Sequence, residues 1–221
     1  MARPKSRKQS LINRTKDYYH LQYNPGLLAL HRKINLLLYA SVTQWTEHDY
    51  GEGYCYQSMD GIGVSGLRNT RARIEAMGLM DFSKNKSIID IGCNTGFLAL
   101  HLAESARKVI GCDINPRLVD IGKATASYLE LSNVELVASA FEDFSPDIQA
   151  DVILSLANHS TYDGNTKHTL DEYFAKCHRL VKPDGLMLFE SHHPKYEADR
   201  LEGVCSVLQQ MFTMESRKIL H

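Results

Sequence analysis

The stretch that most narrows the fold is residues 87–96. Ser87-Ile-Ile-Asp-Ile91 is a short, nearly all-apolar run, and Gly92-Cys-Asn-Thr-Gly96 follows it directly, ahead of a segment with helical periodicity. A run of this length without polar alternation suits a strand buried on both faces, as in a parallel sheet. Glycine lets the chain turn sharply at such a strand end and removes the Cβ that would keep a ligand off the backbone. The first N–H groups of the next helix have no partner within it and face whatever lies beyond the strand. Strand, glycine turn and helix together predict a sheet with a ligand at its carboxyl edge, although a tight turn needs glycine even where nothing binds.

The same rhythm continues downstream. Lys108-Val-Ile-Gly-Cys112, residues 134–138, residues 151–156 and Leu186-Met-Leu-Phe189 read as four further strands. Residues 95–106 and 166–180 carry helical periodicity. Asn115 before Pro116 forms an N-cap and N1 pair opening a helix to about Glu130, and Lys182-Pro-Asp-Gly185 is a turn. Five short strands separated by helices predict an α/β fold: a doubly wound, mostly parallel sheet with right-handed crossovers. It occupies residues 84–221.

Residues 1–83 read as an extension. Its start holds Arg3, Lys5, Arg7, Lys8, Arg14 and Lys16 with no acid before Asp17, which suits a solvated tail more than a phosphate-binding arm. After the Asn24-Pro25-Gly26 break, Leu27, Leu28, Leu30, Ile34, Leu37 and Leu38 recur near helical spacing. Gly51, Gly53, Gly61, Gly63 and Gly66 then predict a loop, and a short helix is expected from about Asn69 to Met77, ended by Gly78.

The glycine loop excludes two ligand classes. A dinucleotide fingerprint of the form G-x-G-x-x-G would need glycine where Asn94 and Phe97 stand. A phosphate-cradling P-loop would need G-K-[ST] after it, which is absent. A second signal is Asp113, at the end of the second strand, where a carboxylate can accept from both hydroxyls of a ribose; the bland alternative is a turn carboxylate beside Asn115.

These segments resemble class I S-adenosylmethionine (SAM)-dependent methyltransferases. Asp90-x-Gly92-x-Asn94-x-Gly96 resembles the family's [DE]-x-G-x-G-x-G, with Asn at the middle glycine, a residue that tolerates the left-handed backbone region. Gly111-Cys-Asp113 resembles the acidic end of the second strand. Leu180-Val-Lys-Pro-Asp-Gly185 resembles the L-x-P-G-G segment before the fifth, with Asp184 at the first glycine. The resemblance spans roughly residues 84–191 and implies a Rossmann-like fold with SAM as cofactor. It implies that Gly92, Asn94 and Gly96 admit the methionine part, Asp90 orients its amino group, Asp113 holds the ribose and Ile114 packs on the adenine. Backbone near Phe141 would line the adenine edge, and Asn158 would shape the methionine end. The family sheet has seven strands, whereas residues 194–218 here look helical, so either strands six and seven are missing from a trimmed fold or the chain is a piece of a longer protein.

Methyl transfer from a sulfonium is an in-line displacement in which alignment and desolvation supply much of the acceleration. The residues facing the acceptor follow strands four and five, so His159, His192 and Tyr162 are the candidates for base or acceptor-orienting groups; their alternative role is turn capping. The extension would cover the site, with Arg68 or Arg71 forking the SAM carboxylate, against the alternative that Arg71 and Arg73 are surface charges pairing with Glu75.

Absences narrow the acceptor. Ala157-Asn-His-Ser160 is unlike the [DNS]-P-P-[YFW] of exocyclic-amine methylation, and no Pro-Cys pair for cytosine C5 chemistry occurs. The expected acceptor is a small molecule or saccharide. The alternatives are an RNA bound by the basic arm, or a binding subunit without chemistry. A net charge of -1 gives no overall pull toward nucleic acid or membrane. The five scattered cysteines and the lack of an apolar leader suit a reducing, cytoplasmic location.

Overall fold

The computed structural model describes residues 23–44, 53–159, 167–192 and 200–218. Its centre is a five-stranded parallel sheet in the order β3-β2-β1-β4-β5. The strands are β1 (Ser87–Ile91), β2 (Lys108–Asp113), β3 (Val134–Ala138), β4 (Ala150–Leu156) and β5 (Val181–Glu190). The helices are α1 (Pro25–Gln44), α2 (Thr70–Met77), α3 (Leu79–Ser83), α4 (Phe97–Leu102), α5 (Pro116–Tyr128), α6 (Leu170–Leu180) and α7 (Leu201–Leu208), with a 3-10 turn at Asp60–Ile62. Strand order runs outward from β1 on both sides, which puts a crevice at its carboxyl end.

The apolar strands sort cleanly to two faces. Ile88, Val109, Val152 and Leu154 meet Leu98, Leu102, Val119 and Leu136 on one side. Ile89, Ile91, Ile110 and Ile153 meet Phe141, Phe144, Tyr173 and Phe174 on the other. Each such large side chain contributes about 1.5–3 kcal/mol on burial. A third cluster joins the extension to the sheet domain: Leu27, Leu30, Ile34 and Leu38 of α1 pack on Leu118 and Ile121 of α5 and on Phe97. The apolar stripe read from the sequence is therefore the face that docks, and Asn24 opens its helix by accepting from Leu27 N at 2.9 Å.

Several bounds move for identifiable reasons. The helix expected over 95–106 is α4, ending at Leu102, and Asn133 Nδ2 donates to the Ala103 and Ala106 carbonyls left over beyond its end. The helix expected from 166 begins at Leu170, where Thr169 and Glu172 form a reciprocal capping box. Gly78, read as a helix end, is also the start of α3: its left-handed backbone closes α2 and opens the next turn. β5 begins five residues early; Val181 pairs with Ala150, the Lys182–Gly185 turn bulges out, and Leu186 rejoins at Val152. Among the described residues there is no strand after β5, and α7 packs there on α6, with Val204 buried against the Phe174 cluster.

At the sheet's amino edge Asp151 ties three segments. It accepts from Ser87 N and Oγ, both at 2.7 Å, from Lys182 Nζ at 2.8 Å and from Arg107 at 3.0 Å. These bonds outweigh partial burial and hold its carboxyl well below the usual range. A carboxyl lowered on folding stabilises above its unfolded pKa and loses that contribution as acid protonates it. Asp151→Asn should therefore lower stability by about 1 kcal/mol at neutral pH. In denaturant titrations the gap to wild type should close as the pH falls below about 4; an unchanged gap at low pH would remove the carboxylate as its cause.

A candidate cofactor and acceptor site at the carboxyl edge

The turn after β1 is left-handed at Gly92 (φ 68°), Asn94 (φ 54°) and Gly96 (φ 70°). Asn94 thus holds the conformation that the usual middle glycine would, which explains why the substitution is tolerated. Gly92 also lies directly under Asn158: a Cβ there would come within 2.7 Å of Asn158 Nδ2. Asn158 donates to the Ile91 carbonyl and accepts from Tyr173 Oη at 2.7 Å and Ser155 Oγ at 2.9 Å. The end of β4 is in this way fastened to the end of β1. Ala157 just before it has φ 58°, a strained setting for a residue with a Cβ, of the kind that collects at functional sites.

Two carboxylates flank this turn. Asp113, half-buried at the end of β2, accepts from Asn94 N at 2.8 Å and Asn115 N at 2.9 Å. It is therefore the turn carboxylate of the bland reading, and it stands at the carboxyl end of β2, beside the turn. Asp90 is buried, and its Oδ2 accepts no hydrogen bond among the described residues. Burial pushes its carboxyl up to about 7; Arg73 pulls the other way and Asp113 adds to the rise. A buried acceptor left without a donor is the atom that a cationic ligand would satisfy. The residues present thus fit a nucleoside with a cationic tail: an acceptor at Asp90, glycine backbone between, and a carboxylate at Asp113.

The remaining candidates fall into three groups. Ile114 is half-buried beside Asp113. Phe141 turns its ring inward, 4.9 Å from Tyr173 and 6.1 Å from His168, so only its backbone borders the crevice. Lys176 fixes that loop by donating to the Glu142 carbonyl at 2.8 Å. His159 and His192 are brought together, with ring centroids 5.0 Å apart; His159 is buried against Phe189 and His192 is half-exposed. Tyr162 lies outside the described residues. Arg68 is exposed, with its guanidinium 5.9 Å from the Tyr56 ring, and Arg71 is exposed on α2.

The arginine whose charge reaches Asp90 is Arg73, which also forms an ion pair with Glu190 at the end of β5. This pair spans the crevice between α2 and β5. No local sequence signal marks it, because its members are more than a hundred residues apart.

A carboxyl raised by folding contributes stability below its unfolded pKa and loses it as the pH climbs to the folded value. Asp90→Asn removes that loss. The variant should gain thermal stability over wild type between pH about 4 and about 7, with the gain level above about 7. Melting curves at pH 4 and 8 that differ by the same amount would sink the assignment.

Residues 88–185 match the model of a family described as methyltransferase domain. A 23S rRNA (uracil(1939)-C(5))-methyltransferase RlmD of Francisella tularensis subsp. novicida is 39% identical over 90 residues, 40% of this chain and 20% of that protein. A ubiquinone biosynthesis O-methyltransferase of Cereibacter sphaeroides is 30% identical over 124 residues, 52% of this chain and 46% of that protein. The chain thus spans less than half the length of these curated relatives. Among solved structures, the PH0226 protein from Pyrococcus horikoshii OT3 superposes with a TM-score of 0.55 at 20% identity, covering 68% of this chain and 85% of that one, a likeness of fold. Residues 88–185 are thus similar to a methyltransferase domain, and the five-stranded parallel sheet around them shares its Rossmann-like fold with the PH0226 protein.

Proposed function

We propose that this chain transfers a methyl group from SAM to a hydroxyl of a small-molecule or saccharide acceptor. The observation that carries the reading is the buried Asp90 oxygen with no donor among the described residues, set one strand from Asp113 across a glycine turn. Asp90 would receive the ammonium of the methionine part and Asp113 the ribose hydroxyls, with Ile114 against the base. Bound there, SAM supplies an electrophilic methyl on a sulfonium.

The chain's own groups then have three tasks. Asn158 holds the β1 and β4 ends in register and keeps water from the turn. His192, half-exposed beside the buried His159, would take the acceptor's proton on an imidazole nitrogen as the oxygen attacks. Phe174 and Phe189 pack around His159 and lower the local polarity, which favours desolvated attack. Thiolate-dependent chemistry on a pyrimidine ring does not suit this site. All five cysteines are buried, and desolvation raises the thiols of Cys55, Cys93, Cys112 and Cys177 well above the ordinary range.

An RNA acceptor is the second reading, favoured by the six basic residues before Asp17 and by an rRNA-modifying relative. It requires binding that weakens steeply with salt and is lost on removing residues 1–16.

Calorimetric titration with S-adenosylhomocysteine tests the cofactor half. Asp113→Ala should weaken binding by about 1–3 kcal/mol, roughly 5- to 150-fold; unchanged affinity would take Asp113 out of the site. Incubation with methyl-labelled SAM and panels of hydroxylated small molecules, saccharides and RNA tests the acceptor half. His192→Ala should spare cofactor affinity and cut turnover about 100-fold or more. Full turnover in that variant and in His159→Ala would end the proposal that this pair handles the proton.

A further inference from the structure

Gln57 lies in the extension, ahead of the sheet, yet its side chain is buried against the turn after β1. Its Nε2 donates to the Cys93 carbonyl at 3.3 Å, and its Oε1 accepts from Thr95 Oγ1 at 3.3 Å and from Leu98 N at 3.2 Å. Leu98 N is one of the donors that the first turn of any helix leaves over. Ordinarily the N-cap side chain takes such a donor. Here the N-cap is Gly96, which has none. The glycine that the cofactor approach requires thus removes the local cap, and Gln57 supplies one from a distant segment.

We propose that Gln57 is a positioning residue for the cofactor: it holds the β1–α4 turn in its left-handed form so that the backbone stays open toward SAM. The inference rests on the reading of this crevice as a SAM site and adds to it a role for the extension.

The segment is built to deliver this one side chain. Leu67 N donates to Cys55 O at 3.0 Å, Arg68 N to Tyr56 O at 2.8 Å and Ser58 N to Arg68 O at 3.1 Å, closing a clasp around Gln57. The two limbs touch so closely at Gly66 that a Cβ would stand 2.2 Å from the Gln57 carbonyl carbon and 2.4 Å from Ser58 N. Ser58 Oγ then accepts from Thr70 N at 3.0 Å, which starts α2, the helix that carries Arg73. The clasp that carries Gln57 thus also leads directly into α2. At the other end of the crevice α1 makes a matching contact, Asn115 Nδ2 donating to the buried Ser41 Oγ at 2.9 Å. Asn115 follows Asp113 and Ile114, so the extension grips the site from both sides.

The test compares Gln57→Met with Ser58→Ala by calorimetric titration of S-adenosylhomocysteine and by amide hydrogen exchange. Gln57→Met keeps the volume and removes the hydrogen bonds; Ser58→Ala removes the bond to Thr70 N and leaves the backbone clasp and the bonds of Gln57 to the turn in place. Gln57→Met should lose affinity about tenfold, with the Leu98 amide exchanging faster while the Leu100 amide, bonded to Gly96 O, keeps its protection. Ser58→Ala should lower the melting temperature and leave the dissociation constant within about twofold. Equal affinity in Gln57→Met and wild type, or an equal loss in both variants, overturns the proposal. Should Gln57→Met fail to fold, the wild-type Leu98 amide decides: protection matching Leu100 supports the cap, and fast exchange overturns it. A wild-type chain that binds no S-adenosylhomocysteine would instead defeat the SAM reading, while the Leu98 amide would still report whether the cap exists.

Discussion

The turn between β1 and α4 lies against backbone as well as side chains, and the geometry of the whole carboxyl edge follows from that closeness. On α5, a Cβ added at Gly122 would come within 2.4 Å of the Thr95 carbonyl oxygen and equally near Leu136. A backbone carbonyl cannot swing aside as a side chain can, so the helix, the turn and β3 share one fixed separation. With the turn set at that distance, β1 and β2 present Asp90 and Asp113 side by side. Asn158, bonded back to Ile91, brings the end of β4 to the same place. Three strand ends thus converge on a few ångströms of chain whose own conformation is costly and is held from outside.

The parts of this arrangement legible in the sequence are those decided locally. β1, buried at all five positions, stood out as Ser87–Ile91 because nothing polar except Asp90 interrupts it. The α5 start was legible because Asn115 and Pro116 each prefer one position at a helix entrance and occupy it. Where a distant group intervenes, local reading slips. α4 ends at Leu102, and the carbonyls beyond it, Ala103 and Ala106, are taken by Asn133, just ahead of β3. Gly78 reads as a stop, and it is one, but the same left-handed residue also begins α3.

The site divides in the same way. Asp90, Gly92, Asn94, Gly96 and Asp113 follow from a spacing within two adjacent strands. His159 and His192 follow from the sequence as residues beyond the ends of strands four and five, while their closeness and the burial of one but not the other depend on the strand order. Arg73 escaped because its partner, Glu190, lies at the end of the last strand. Periodicity carries no information at that range, and Arg68 and Arg71 offered the same charge on the same helix approach. Gln57 carried no signal at all: its polar side chain stands where burial is set by a clasp that closes only in three dimensions.

Arg73 ties the two halves of the crevice energetically. Its guanidinium is paired with Glu190 and, among the described residues, is the charge that favours ionisation of Asp90. A carboxyl held near 7 by desolvation is poised, because any cation arriving beside it shifts the proton off and makes the contact a charge-assisted one. The ionised Asp90 then draws more strongly on Arg73, at the expense of Glu190. By linkage the reverse also holds: whatever occupies Glu190 changes how readily Asp90 ionises. The pair is half-buried, so solvent weakens the coupling without removing it. The states of Glu190 and Asp90 are thereby linked through one arginine that belongs to neither strand.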